Sequence, residues 1–177
     1  MDVNNYPLSR RLGLALKNAG IKLVLAESCT GGGMARVITR VPGSSAWFDR
    51  GFVTYSNDAK VEMLGVNPES IATHGAVSEH VAREMALGAL KHSHAEISAS
   101  ITGVAGPGGG TLEKPVGTVW IGIALKNGHV ECRKTFFESG RKHVRVCAIA
   151  YALNWLYEET EKLLETNKLG DNIKVQN

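Results

Sequence analysis

The stretch "LAESCTGGG", residues 25–33, decides how this chain is read. Its first residues close a short apolar run, 21–26, broken only by Lys22, with the length and composition of a buried strand. Its last residues are three consecutive glycines, and residues 31–40 read as a helix that Pro42-Gly43 ends. Ser28, Cys29 and Thr30 therefore stand between a strand and a Gly-rich helix start. In a sheet with parallel pairs this is the carboxyl end of a strand, where ligands bind.

Working outward, strands and helices alternate. Leu8, Leu12, Ala15, Leu16 and Ala19 recur at helical spacing, and Gly20 follows as a stop. Residues 51–55 read as a second strand, and 58–64 as a short helix capped by Ser56 or Asn57. Ser78 caps a longer helix over 79–91, residues 97–101 form another buried strand, and 103–115 is a loop. The runs 117–125 and 129–137 flank Lys126-Asn127-Gly128, a hairpin signal of type I′, whose central residues both need positive φ. A last long helix covers about 141–164, and the polar tail after Gly170 is expected to fray. This order predicts an α/β protein with a mixed, mainly parallel sheet covered on both faces. Neither a repeat nor a linker divides the chain, so one domain over 1–177 with an ordered core of about 8–164 is expected.

Composition narrows the function. The chain has 177 residues, 44% apolar and 21% charged, in the range of globular proteins. A net charge of +3 gives no reason to expect nucleic acid as a partner. No apolar run approaches bilayer length and the N-terminus lacks a signal-peptide core, so no membrane partner is expected and the chain reads as cytoplasmic. Cys29, Cys132 and Cys147 are odd in number and show no C-x-x-C spacing, against a disulfide framework or a thiolate zinc site.

Chemistry concentrates at three strand ends. Ser28 is a candidate nucleophile, with the helix start behind it offering N–H groups to an oxyanion or a phosphate. The competing reading is a capping hydroxyl on a flexible turn. Lys60, on the first turn of the helix after the second strand, is a candidate base, since a lysine whose pKa is lowered by burial can take a proton. Tyr55, at the end of that strand, can relay the proton or orient the lysine. A solvated Lys60 and a core Tyr55 compete with these roles. Thr102 ends a third strand, followed by a Gly-rich loop that can wrap a small polar ligand. Lys114 in that loop, and Arg141 and Arg145 at the start of the last helix, are candidate phosphate contacts or simply solvated cations. His92 and His94 resemble a metal pair without a third ligand, and His74 lies in a loop before a helix. Cys29 reads as a buried small side chain more readily than as a nucleophile.

Together "AESCTGG", "GFVTYSNDAK", "HGAVSEHVAREMA", "ITGVAGPGGG" and "KPVGTVWIGIA" resemble, in order, the motifs of the CinA C-terminal domain family, over about residues 8–156. Characterised members of that family include nicotinamide-nucleotide amidases of the PncC type, and the chain resembles the stand-alone form. The resemblance implies a three-layer α/β/α fold and hydrolysis of the carboxamide of nicotinamide mononucleotide to nicotinic acid mononucleotide and ammonia. It implies Ser28 as nucleophile, Lys60 as its base, Tyr55 and Thr102 as supporting partners, and no metal or other cofactor. Substrate contacts are then expected from Cys29, Thr30, Gly31, Gly32, Gly103, Gly106, Lys114, Arg141 and Arg145. The partner is a small nucleotide, and a homo-oligomer stays open. A nucleotide-binding module without hydrolysis, serving a regulatory or competence-linked role, is the alternative.

Overall fold

The computed structural model describes residues 4–174, with side chains described through Thr166. Its five-stranded sheet has the order β2-β1-β3-β4-β5. The strands are β1 (Leu23–Glu27), β2 (Phe48–Val53), β3 (Ile97–Gly103), β4 (Thr118–Leu125) and β5 (Val130–Phe136). The helices are α1 (Tyr6–Ala19), α2 (Gly33–Thr39), α3 (Asn57–Leu64), α4 (Pro68–His74), α5 (Glu79–Lys91) and α6 (Arg141–Lys174). Leu23 and Leu25 point into one apolar cluster with residues of α1, α2 and α6, while Val24 and Ala26 point into a second with residues of α3 and α5. The alternation of a single strand thus builds three layers.

The mixed α/β sheet matches expectation, but its balance differs. β1 pairs in parallel with β2 and β3, whereas β3–β4 and β4–β5 are antiparallel, so the sheet is mixed in equal parts rather than mainly parallel. The reason is the loop after β3. It contains no crossover helix, the usual means of a parallel return, and the chain comes back antiparallel. The hairpin also differs in detail. Gly128 alone of its central residues has positive φ, and its N–H reaches Leu125 O at 3.0 Å. This is a type I turn with a glycine bulge rather than type I′.

Local signals explain most boundaries. Gly20 ends α1 in the left-handed region, Ser56 caps α3 through Ala59 N, and Ser78 caps α5 through Val81 N. Helix α4 escaped the sequence reading, although Asn67 caps it and Pro68 opens it; His74 is its last residue, not part of a loop. β2 begins earlier than expected and ends before Tyr55. α6 runs past residue 164, and the tail expected to fray after Gly170 is helical to Lys174, the rest lying outside the described residues.

Helix α5 lies very close to the sheet. Ser98 and Ser100 of β3 donate to the carbonyls of Ala86 and Ala82 at 2.8 and 2.6 Å. A Cβ on Gly122 of β4 would meet Ala82 O at 2.9 Å, and one on Gly88 would meet Leu64 O at 2.0 Å. Small and hydroxyl side chains thus replace apolar ones where α5 approaches the sheet on one side and α3 on the other. Among the described residues no helix is long and apolar enough to cross a membrane.

Candidate active site

Register brings three strand ends together. Glu27 pairs with both Val53 and Ile101, so the residue that follows β1, Ser28, lies between Thr54 and Thr102. Ser28 N donates to Ile101 O at 2.9 Å and Thr54 N to Glu27 O at 2.9 Å, extending the pairing by one step. By the alternation of β1, Ser28 faces the α3 and α5 side and Glu27 faces α2.

Lys60 of α3 reaches this point. Its Nζ lies 3.1 Å from Ser28 Oγ, 3.0 Å from Thr54 O and 3.3 Å from Ser56 O. Lys60 is 1% exposed and Ser28 8% exposed. Among the described residues Lys60 makes no ion pair with a carboxylate. Burial lowers its pKa, opposed only by the charge of an ionised Cys29. That opposition vanishes at neutral pH, because burial pushes the Cys29 thiol up to about 11. The solvated-lysine reading is thereby excluded, and Cys29 is a buried, neutral neighbour.

The turn after Ser28 is held from both sides. Gly31 and Gly32 have φ of +57° and +83°, which side chains rarely adopt. Gly31 N donates to Ser28 O and Gly33 N to Thr30 O, while the N–H groups of Thr30 and Gly32 take no backbone acceptor among the described residues. The buried Glu27 accepts hydrogen bonds from Met34 N at 3.0 Å and Ala35 N at 2.8 Å. Donors expected to meet a ligand at the helix start are therefore already satisfied, and the open ones belong to the turn. Sequence reading missed Glu27. Its signal is a lone carboxylate ending an apolar strand, ahead of a helix whose cap, Gly32, brings no side chain. Thr54 and Ser56 were missed because they act through backbone carbonyls, which residue identity does not reveal. Thr30 and Thr54 are fully buried with hydroxyls that have no partner among the described residues.

The other predicted residues take places of their own. Tyr55 is 57% exposed, and its hydroxyl accepts from Arg141 Nη2 at 2.7 Å, so it is not a core tyrosine. Thr102 is buried beside Ser28, but its hydroxyl donates to Ala76 O at 2.8 Å. Arg141 also donates to Gly106 O at 3.0 Å, and Arg145 to Thr30 O at 2.6 Å, so both arginines of α6 lean over the strand ends. Lys114 donates to His74 O at 2.5 Å and ties the Gly-rich loop to the end of α4. Gly103, ending β3, and Gly106 in the loop answer to packing. A Cβ on Gly103 would meet Thr118 O at 2.8 Å, and one on Gly106 would meet Val116 Cγ1 at 2.5 Å. The Gly106–Pro107 peptide is cis. His92 Nδ1 lies 2.9 Å from Gly88 O, closing its own helix.

Fold and site together define a three-layer α/β protein that carries a buried serine–lysine pair at its parallel strand ends. The chain belongs to the CinA C-terminal domain family, whose sequence profile matches residues 5–160. It is 55% identical over 158 residues to the nicotinamide-nucleotide amidohydrolase PncC of Escherichia coli strain K12, covering 89% of this chain and 96% of that protein. A CinA-like protein of Geobacter sp. strain M21 is 53% identical over 146 residues, which are 82% of this chain and 35% of that longer protein. The crystal structure of competence/damage inducible protein CihA from Agrobacterium tumefaciens superposes with a TM-score of 0.84 at 45% identity, covering 86% of this chain and 93% of that one.

Proposed function

We propose that the protein is a nicotinamide-nucleotide amidase that hydrolyses the carboxamide of nicotinamide mononucleotide, with Ser28 as nucleophile and Lys60 as base. The observation that carries this reading is the 3.1 Å approach of Lys60 Nζ to Ser28 Oγ in a buried setting. The name of the Escherichia coli relative supplies the substrate class. A cytoplasmic role in nucleotide salvage fits both.

The surroundings of Lys60 suit a neutral amine. Such an amine has two N–H donors and one lone pair. Thr54 O and Ser56 O receive the two donors, which turns the lone pair toward the Ser28 hydroxyl. The hydroxyl then donates its proton to Nζ as Oγ attacks the carboxamide carbon. The carbonyl oxygen becomes an oxyanion, for which the N–H groups of Cys29, Thr30 and Gly32, none of which takes a backbone acceptor among the described residues, are candidate donors in the turn. Collapse breaks the C–N bond, and the proton held on Lys60 leaves with ammonia. Water, deprotonated by the again neutral Lys60, hydrolyses the acyl ester to the carboxylate and restores Ser28. No step calls for a metal. Arg145, which donates to Thr30 O, and Arg141, which holds Tyr55 at the rim, serve the phosphate of the substrate, with Thr102 backing Ser28 from β3.

The test is ammonia release from nicotinamide mononucleotide by the purified protein and by Ser28→Ala. Loss of the nucleophile is expected to cost several orders of magnitude in kcat, with substrate binding and melting temperature nearly unchanged. A Ser28→Ala variant that retained wild-type turnover would remove Ser28 from the chemistry.

A further inference from the structure

The segment that joins α4 to α5, residues 75–78, meets the end of β3 on the Ser28 side of the sheet. Hydroxyls on one face of β3 donate in a row along it. Ser98 and Ser100 reach Ala86 O and Ala82 O of α5, and Thr102, the next residue on that face, reaches Ala76 O of the connector at 2.8 Å. Thr102 in turn flanks Ser28 by strand register. Three consecutive carbonyls of this stretch are each taken by a side chain. His74 O accepts from Lys114 Nζ at 2.5 Å, Gly75 O from Ser78 Oγ at 2.8 Å and Ala76 O from Thr102 Oγ1. The His74 ring also stacks on that of His80 in α5, 3.8 Å away and 5° from parallel. A connector has no ladder of its own to satisfy its backbone, so these side chains set its position.

Of these donors, Lys114 comes from the Gly-rich loop and is presented by a closed turn. Lys114 N donates to Thr111 Oγ1 and Thr111 N to Lys114 O, both at 3.0 Å. The base of the loop is closed by Val104 N on Thr118 O and Gly117 N on Val104 O, both at 2.8 Å. Lys114 is half-buried, and its ammonium meets no carboxylate among the described residues. His74 is the last residue of α4, where carbonyls lack helical partners and a cation is favoured. A charged donor also makes a stronger bond there than a neutral one. Gly75 lets the lysine in, since a Cβ at this position, with φ of +76°, would meet Lys114 Nζ at 3.2 Å. The ammonium is thus committed to the protein backbone.

We propose that Lys114 is a positioning residue for the reaction at Ser28 and not a contact to the substrate's phosphate. It acts through other groups. Lys114 holds the connector by His74 O, the connector holds Thr102 by Ala76 O, and Thr102 backs Ser28 from β3. The effect on turnover rests on the amidase reading above, whereas the clamp itself is read without turnover.

Two variants of the whole protein test this. Lys114→Met keeps an unbranched stem and removes the donor, Lys114→Arg keeps a charged donor, and melting curves check that both fold. Amide hydrogen exchange followed by mass spectrometry reads the clamp. Peptides spanning residues 68–78 should exchange about tenfold faster in Lys114→Met and close to the wild-type rate in Lys114→Arg, with the peptides of α6 unchanged. Ammonia release from nicotinamide mononucleotide reads the positioning. Lost alignment appears in kcat, so Lys114→Met should lower kcat about tenfold and keep KM within about twofold, with Lys114→Arg regaining most of the loss. A rise in KM at unchanged kcat would make Lys114 a phosphate contact and overturn the proposal. Unchanged exchange in Lys114→Met would remove the clamp, and faster exchange at unchanged kcat would reduce it to a structural tie; either result overturns the proposal. A wild-type protein that released no ammonia, with exchange responding as expected, would sink the amidase reading and the catalytic role of Lys114 with it, while the clamp would stand.

Discussion

Glu27→Gln is the most informative substitution that leaves the candidate nucleophile and base untouched. Both carboxylate oxygens accept a backbone N–H of α2, at 3.0 and 2.8 Å. An amide of the same shape has one oxygen, so its NH2 group must face the other backbone N–H, donor against donor. A hydrogen bond to a charged group contributes about 1.5–3 kcal/mol, and one such bond is lost. The surviving bond becomes neutral and loses about 1 kcal/mol more. Burying a neutral amide costs less than burying an anion, which offsets part of the loss. A net destabilisation of about 2–3 kcal/mol remains. At this chain length that lowers the melting temperature by about 4–12 °C. Urea denaturation followed by far-UV circular dichroism measures it as a lower midpoint at constant slope. Ser28 is the next residue, so ammonia release should fall about tenfold as the turn loosens. Glu27→Asp, one methylene shorter, should behave alike because its oxygens cannot reach the same N–H groups. A Glu27→Gln protein within about 0.5 kcal/mol of wild type would refute the claim that this carboxylate holds the start of α2.

Further outcomes follow from the same geometry. Burial holds Lys60 below the ordinary lysine value of 10.5, and the neutral amine is the active form, so kcat/KM should rise with pH through an ionisation below that value; Lys60→Arg should be as inactive as Lys60→Ala, since a guanidinium stays protonated. Between the lowered native value and the ordinary one the unfolded chain binds a proton that the native state refuses. Stability should therefore rise with pH across that window, and Lys60→Met, scanned by calorimetry, should flatten the slope. Cys29→Ala should keep most activity, because a thiol pushed up to about 11 stays neutral, and strong inactivation would return Cys29 to the mechanism. Gly88→Ala gains about 1 kcal/mol of helix propensity, but its Cβ would sit 2.0 Å from Leu64 O, a backbone atom that moves only with its helix. Overpacking should win, with a net loss of about 1–2 kcal/mol in a denaturant titration.

What the sequence determined by itself is local. Spacing of apolar residues located the strands, Gly20 and Ser78 marked helix ends, and the order of elements implied a mixed sheet, because these signals act within a few residues. The serine, the lysine and the glycine turn were legible as residue types at strand ends, and the five motifs tied them to one family. Tertiary structure decided what those residues touch. Only the register of β1 with β2 and β3 makes neighbours of Ser28, Thr54 and Thr102, which are far apart along the chain. Only the packing of α3 buries Lys60, and burial rather than lysine chemistry lowers its pKa. Tyr55 and Thr102 have the residue types expected of helpers at the pair, yet their hydroxyls bond to Arg141 and Ala76 O, because partner choice follows distance in space. The carbonyls that orient Lys60 carry no residue signature at all. The alternation of β1 sends Glu27 to the α2 face and Ser28 to the α3 face, a separation that exists only once the sheet is formed.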